Sequence, residues 1–286
     1  MKNKNFPRKT VRILCLHGIL FALASITYGQ ESNTDRKREW QLGLGYENFR
    51  TLDENVSPLI YTSDNGNFIA RFQKYKPKTR WNIGMNISMG SNQSKRHGKR
   101  AAVAYDPYPL SGDRDSVVYE INPGLSFIQA ELYYAMLWKL RSEKKPLFVG
   151  ALLSERFTYG ALGADTWFFN QLSMMVAGQT SIYDRRKSRI DVAISIPLIS
   201  YLLRQPYSLD PSLPESSYFK AYLKTGSEVA TINKFQQVNI TMDYVYQLKG
   251  KNAIGLSWQF MWMNNSNLPD RNLKAYANSF SIIYKF

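Results

Sequence analysis

The chain has 286 residues, of which 44% are hydrophobic and 14% aromatic, and its formal net charge is +15. That length holds one large β domain or two ordinary ones, and no shift in composition marks a second. One cysteine, Cys15, and two histidines, His17 and His97, exclude a disulfide scaffold and leave too few ligands for a zinc site.

Lys2, Lys4, Arg8, Lys9 and Arg12 precede the apolar run from Ile13 to Thr27, and small Gly29 follows. This order predicts a secretory signal peptide over residues 1–29, cut near 29/30, with 30–286 as a single domain. His17 and Gly18 interrupt the run, which is short for a membrane span of about 20 residues. Lipidation at Cys15 would require small residues before it, where Arg12, Ile13 and Leu14 stand. The leader holds five of the 37 basic residues and none of the 22 acidic ones, so the mature chain carries +10 and no cysteine.

Beyond the leader no apolar stretch is long enough for a transmembrane helix, so any crossing must use strands. The first candidate runs from Arg38 to Phe49. "SDNG", Ser63 to Gly66, reads as a hairpin tip between "PLIYT" and "NFIARF". From Arg80 to Gly90, Trp81, Ile83, Met85, Ile87 and Met89 share one face and Asn82, Gly84, Asn86 and Ser88 the other. The segment from Ser91 to Glu120 reads as the longest loop. Further strands are expected near 122–140, 146–158, 166–180 and 189–201. Arg204 to Ser217, with three prolines, reads as another loop. Strands resume near 236–248, where only Val245 breaks the polar face, and continue at 252–264 and 273–286. Ser217 to Ile232 decides the count. Taken as one strand it makes the total odd; split near Thr225 to Ser227 it gives twelve, merged with a neighbour ten. Bacterial single-chain barrels have even counts, and twelve is favoured.

Alternation alone also suits a soluble sandwich, which stays open as a secreted binding protein. Three features favour a membrane. Many strands reach about ten residues, the length that crosses a bilayer at a tilt. Aromatic residues gather near strand ends: Trp40, Phe49, Trp138, Phe157, Tyr159, Trp167 to Phe169, Trp258, Trp262, Tyr284 and Phe286, as interfacial girdles require. Tight turns at Lys74–Thr79, Arg141–Pro146, Tyr183–Ser188 and Leu248–Asn252 alternate with longer segments. The expected fold is therefore all-β: a closed antiparallel transmembrane barrel of 10–12 strands, with short periplasmic turns and long extracellular loops.

No constellation points to catalysis. His97 lies in "SKRHGKR", flanked by Lys95, Arg96, Lys99 and Arg100, and a basic loop holds no preorganised triad. Asp113, Asp115 and Glu120 cluster around Arg114 without calcium-loop spacing. "GLGYENF" lacks the third glycine and the helix of a phosphate loop. No catalytic, cofactor or metal residue is assigned. Glu131, Asp191 and Asp243 fall on polar faces and are expected to point into the lumen, where they need water or a basic partner. Arg156 is one candidate, although alternation around it is too apolar on both sides to fix its direction. The basic residues at the short turns suit lipid phosphates, as does the Lys95–Arg100 cluster for lipopolysaccharide. A secretory context argues against nucleic acid.

The last stretch, "FSIIYKF", puts Phe280, Ile282, Tyr284 and Phe286 on one face, expected to meet lipid while the strand pairs with the first near Trp40 to Phe49. It resembles the terminal signature of Gram-negative outer-membrane β-barrel proteins; Asn278, where that pattern would place an apolar residue, departs from it. The resemblance implies location in the bacterial outer membrane and recognition by the barrel-assembly machinery, but names no activity. The expected role is non-enzymatic: a small pore or transport-related barrel, or else a scaffold for surface assembly or secretion. A lipid-modifying hydrolase ranks behind both.

Overall fold

The computed structural model describes residues 38–94, 100–105, 116–121, 125–140, 146–162, 165–185, 187–204, 226–248, 252–266 and 272–286. The leader, His97, Lys95, Arg96, Lys99, Asp113 and Asp115 lie outside them; Arg100 and Glu120 lie on described backbone, at the start of one short strand and near the end of another.

The strands are β1 (Arg38–Asp53), β2 (Ser57–Tyr75), β3 (Thr79–Ser94), β4 (Arg100–Tyr105), β5 (Ser116–Ile121), β6 (Leu125–Lys139), β7 (Leu147–Leu162), β8 (Asp165–Arg185), β9 (Ser188–Arg204), β10 (Ser227–Thr231), β11 (Phe235–Gln247), β12 (Ala253–Asn265) and β13 (Leu273–Lys285). All neighbours pair antiparallel, and the order β9-β11-β12-β13-β1-β2-β3-β6-β7-β8 returns to β9. The ring closes because a strand edge left in lipid would strand its backbone polar groups. β13 meets β1 in unbroken register from Gln41 opposite Lys285 to Asp53 opposite Leu273, the pairing read from the sequence.

Three sequence expectations change. The ring has ten positions among the described residues, not twelve, because β10 and β11 occupy one wall position against β9. "SDNG" is not a turn; it lies inside the continuous β2, and residues 54–56 make the connection instead. Its polar residues serve both faces of the wall. Asp64 points out and accepts from Asn48 Nδ2 at 2.8 Å and from the Tyr46 hydroxyl, while Asn65 points in and donates to Glu47 at 3.1 Å. The long segment after β3 contains the β4–β5 hairpin, a separate two-stranded sheet.

The belt is built as the alternation predicts. Trp40, Leu42, Leu44 and Tyr46 on β1, Ile83 and Met89 on β3, and Phe280, Ile282, Tyr284 and Phe286 at the last strand are all exposed, Leu44 at 69% and Ile282 at 62%. Their inward neighbours Glu39, Gln41, Glu47, Ser279, Ser281 and Lys285 are buried. Strands of 13 to 21 residues in the wall exceed what a bilayer needs. Past the belt, outward positions become polar, with Asn48 and Arg50 on β1, Asp64 on β2 and Asn278 on β13. Asn278 pairs with Asn48 and so sits where the belt ends, which accounts for its departure from the terminal signature.

Two irregularities lie midway along β9. Its register with β8 shifts at Pro197, and both Leu198 and Ile199 face outward there; a bulge tolerates a residue with no N–H to donate. On the other side, Ile199 pairs with Thr231 and Ser195 with Asn239, so a short run of β9 faces a longer excursion through Ile232 to Lys234. Lys234 N closes that turn on Thr231 O at 2.9 Å.

Candidate functional site

The interior has three storeys. At the end carrying the strand termini, Lys285 Nζ lies 2.9 Å from Glu39 Oε1, and Arg189 bridges Asp191 at 2.7 Å and Glu39 at 4.0 Å. The Arg80 guanidinium covers the Phe148 ring at 3.9 Å. Arg80 and Arg189 stand one residue beyond basic short turns that suit lipid phosphates by sequence; alternation instead turns both inward, where buried carboxylates and rings receive them. Val245, the fault in an otherwise polar face, packs inside with Ala253 and Ile283.

The middle storey is a chamber of about 140 Å³. Arg71 on β2 meets Asp243 on β11 at 3.1 Å, and Ser257 donates to the same carboxylate at 2.6 Å. Arg156 on β7 meets Glu131 on β6 at 3.0 Å, supported by Ser154 at 2.9 Å. Tyr133 can lie across this space because its partner in register is Gly84, where a Cβ would collide with the phenol ring. The three carboxylates expected in the lumen, Glu131, Asp191 and Asp243, thus each face inward beside an arginine.

The far storey is apolar. Phe49, Phe127, Trp167, Phe169, Phe235, Leu202 and Leu273 form one buried cluster, with Phe49 and Phe127 ring centroids 5.0 Å apart. At its edge Asp53, fully buried, accepts from Arg204 Nη2 at 2.6 Å and from Trp167 Nε1 at 3.0 Å. Phe49, Trp167 and Phe169 were read as girdle residues because they stand near strand ends. They are 1–2% exposed and close the lumen instead. The signal was available: Phe49 shares the parity of Glu39, Gln41 and Glu47, not that of Trp40.

The other lumen residues that sequence reading passed over, Glu39, Glu47, Asp53, Arg71 and Arg204, follow the same parity rule. What sequence could not give was the partner across the ring. Asp53 and Arg204 meet over 151 positions, and Arg71 and Asp243 over 172.

No family model and no curated protein matches the chain. Its fold is similar to that of the outer-membrane protease OmpT from Escherichia coli, with a TM-score of 0.55 at 10% identity, covering 92% of this chain and 99% of that one. The translocator domain of the autotransporter NalP from Neisseria meningitidis covers 97% of this chain and 98% of its own at 7% identity, with a TM-score of only 0.35. Such identities speak to fold alone. The closed antiparallel ring, the apolar outer belt and the likeness to OmpT agree on the fold: a closed antiparallel β-barrel that turns its apolar face outward.

Proposed function

We propose that the protein is a non-enzymatic, transport-related barrel whose lumen is closed in this state. The observation carrying the reading is the polar chamber held between two different closures. A wall sealed only for stability could be filled throughout with side chains, as small barrels commonly are. Here the middle storey keeps room between a charged network and an aromatic cluster.

Passage would require the far storey to move, because its closure rests on one clasp, Asp53 with Arg204 and Trp167, above a ring of aromatic residues. Reconstituted in planar bilayers or liposomes, the native protein is expected to show no steady conductance. Arg204→Ala, which removes the clasp, is expected to admit small polar solutes. A steady open channel in the native protein would show that the closures are not seals, and a variant as tight as the native barrel would remove the transport reading.

A second reading is favoured by the closures themselves. A barrel plugged at both ends suits a scaffold supporting surface assembly or secretion, for which the lumen only needs to be stable. Tightness of the clasp variant would select it. Lipids, lipopolysaccharide and the barrel-assembly machinery are the partners proposed under either reading.

A further inference from the structure

We propose that the chamber binds a small polar solute bearing one positive charge, of the size and chemistry of an amino sugar or amino alcohol. This rests on the transport reading and names the class of solute. The chamber's walls carry carboxylates and guanidiniums in unequal number. Asp243 has Arg71, Glu131 has Arg156 and Asp191 has Arg189, each within 3.1 Å. Glu47, which lines the same chamber and is 5% exposed, makes no ion pair among the described residues. It accepts from the Asn65 amide at 3.1 Å and from the Ser88 side chain, and the nearest guanidinium to act on it, that of Arg156, is already paired with Glu131. A buried carboxylate without a countercharge is costly, and a ligand ammonium beside it supplies one.

The rest of the wall mixes apolar side chains such as Leu152, Ile240 and Met261 with neutral donors and acceptors. Asn67 Oδ1 and Gln129 Oε1 are buried acceptors, and Arg71 Nε, Arg156 Nε and Gln259 Nε2 are buried donors, with no hydrogen-bond partner among the described residues. All five residues line the chamber. Small side-chain rotations would bring such atoms to the chamber surface, where donors beside acceptors suit hydroxyl groups, which do both. An anionic solute would meet the unpaired Glu47, and an apolar one would leave these atoms unsatisfied. Specificity of this kind comes from what the wall rejects as much as from what it holds.

The test is calorimetry on the detergent-folded protein with three probes of matched size: glucosamine, glucose and gluconate. Glucosamine is expected to bind about ten-fold tighter than glucose, as a charge-assisted hydrogen bond gives over a neutral one. Gluconate should bind weakest. Glu47→Gln should reduce the glucosamine preference to within about two-fold, the charge-assisted part being gone. Glu47→Asp should retain the preference, and Asn67→Ala should weaken glucosamine and glucose alike. Equal binding of glucose and glucosamine, a preference for gluconate, or no binding by any probe would overturn the proposal. So would a preference that survives in a folded Glu47→Gln protein. Efflux from liposomes carrying the Arg204→Ala protein is measured separately. Preference without passage removes the transport reading and leaves the site, whereas passage without preference removes the site and leaves transport.

Discussion

The two ends of the lumen differ in how their charges are held. At the end carrying the strand termini, Glu39, Lys285, Arg189 and Asp191 form a connected set in which every charge has more than one neighbour of opposite sign or a hydrogen-bonding partner. At the far end, aromatic bodies fill the bore and, among the described residues, one buried charged pair, Asp53 with Arg204, sits at their edge. A network distributes the loss of one member among those that remain. A packed plug with one clasp concentrates it. The far end is therefore the part of the barrel able to open through few changes, and the terminal end the part built to stay shut.

The largest effect expected from breaking this contrast is at the clasp. Arg204→Met leaves Asp53 buried without a countercharge and should cost about 3–5 kcal/mol, measured by urea unfolding in detergent. Replacing Asp53 and Arg204 together by Asn and Met should recover most of that loss, because the penalty lies in the orphaned charge. At the other end, Lys285→Met is expected to cost less than Arg204→Met, since Arg189 remains within 4.0 Å of Glu39. Equal costs at the two ends would mean that the terminal network does not share its charges.

A smaller effect separates volume from hydrogen bonding inside the plug. Trp167→Phe keeps an aromatic body but removes the donor to Asp53, an expected loss of about 1–3 kcal/mol with the clasp partly weakened. Smallest is Gly84→Ala. It should displace the Tyr133 ring and alter solute binding in the chamber while changing the unfolding midpoint little; an unchanged Tyr133 environment by fluorescence or NMR would show that the ring does not depend on the absence of a Cβ there.

Much of the wall was legible in the sequence because a barrel in lipid obeys one rule, alternation, over every strand. Leu42, Leu44, Ile282 and Tyr284 had only one face available to them. The last strand's pairing with the first followed from closure. The favoured count of twelve failed, and the alternative of ten held, where β10 runs on through an excursion at Ile232 to Lys234 into β11, since an excursion and a hairpin look alike when only residue types are read. "SDNG" misled for a related reason: turn residues mean a turn only where the chain must reverse, and above the belt a polar outward residue is simply wetted. The site was half legible. Parity gave the inward residues, including those missed at Phe49 and Trp167, but the contacts between Arg71 and Asp243 or Arg204 and Asp53 depend on which strands lie opposite across the bore, which no local pattern carries.

The excursion between β10 and β11 makes the cylinder mechanically uneven. Along β9 and β11 the ladder holds only from Ser188 to Ser195, while β13 and β1 are laced from end to end. Under strain the circumference should part first along β9, with amide protons beside Pro197 exchanging sooner than those of any other stave.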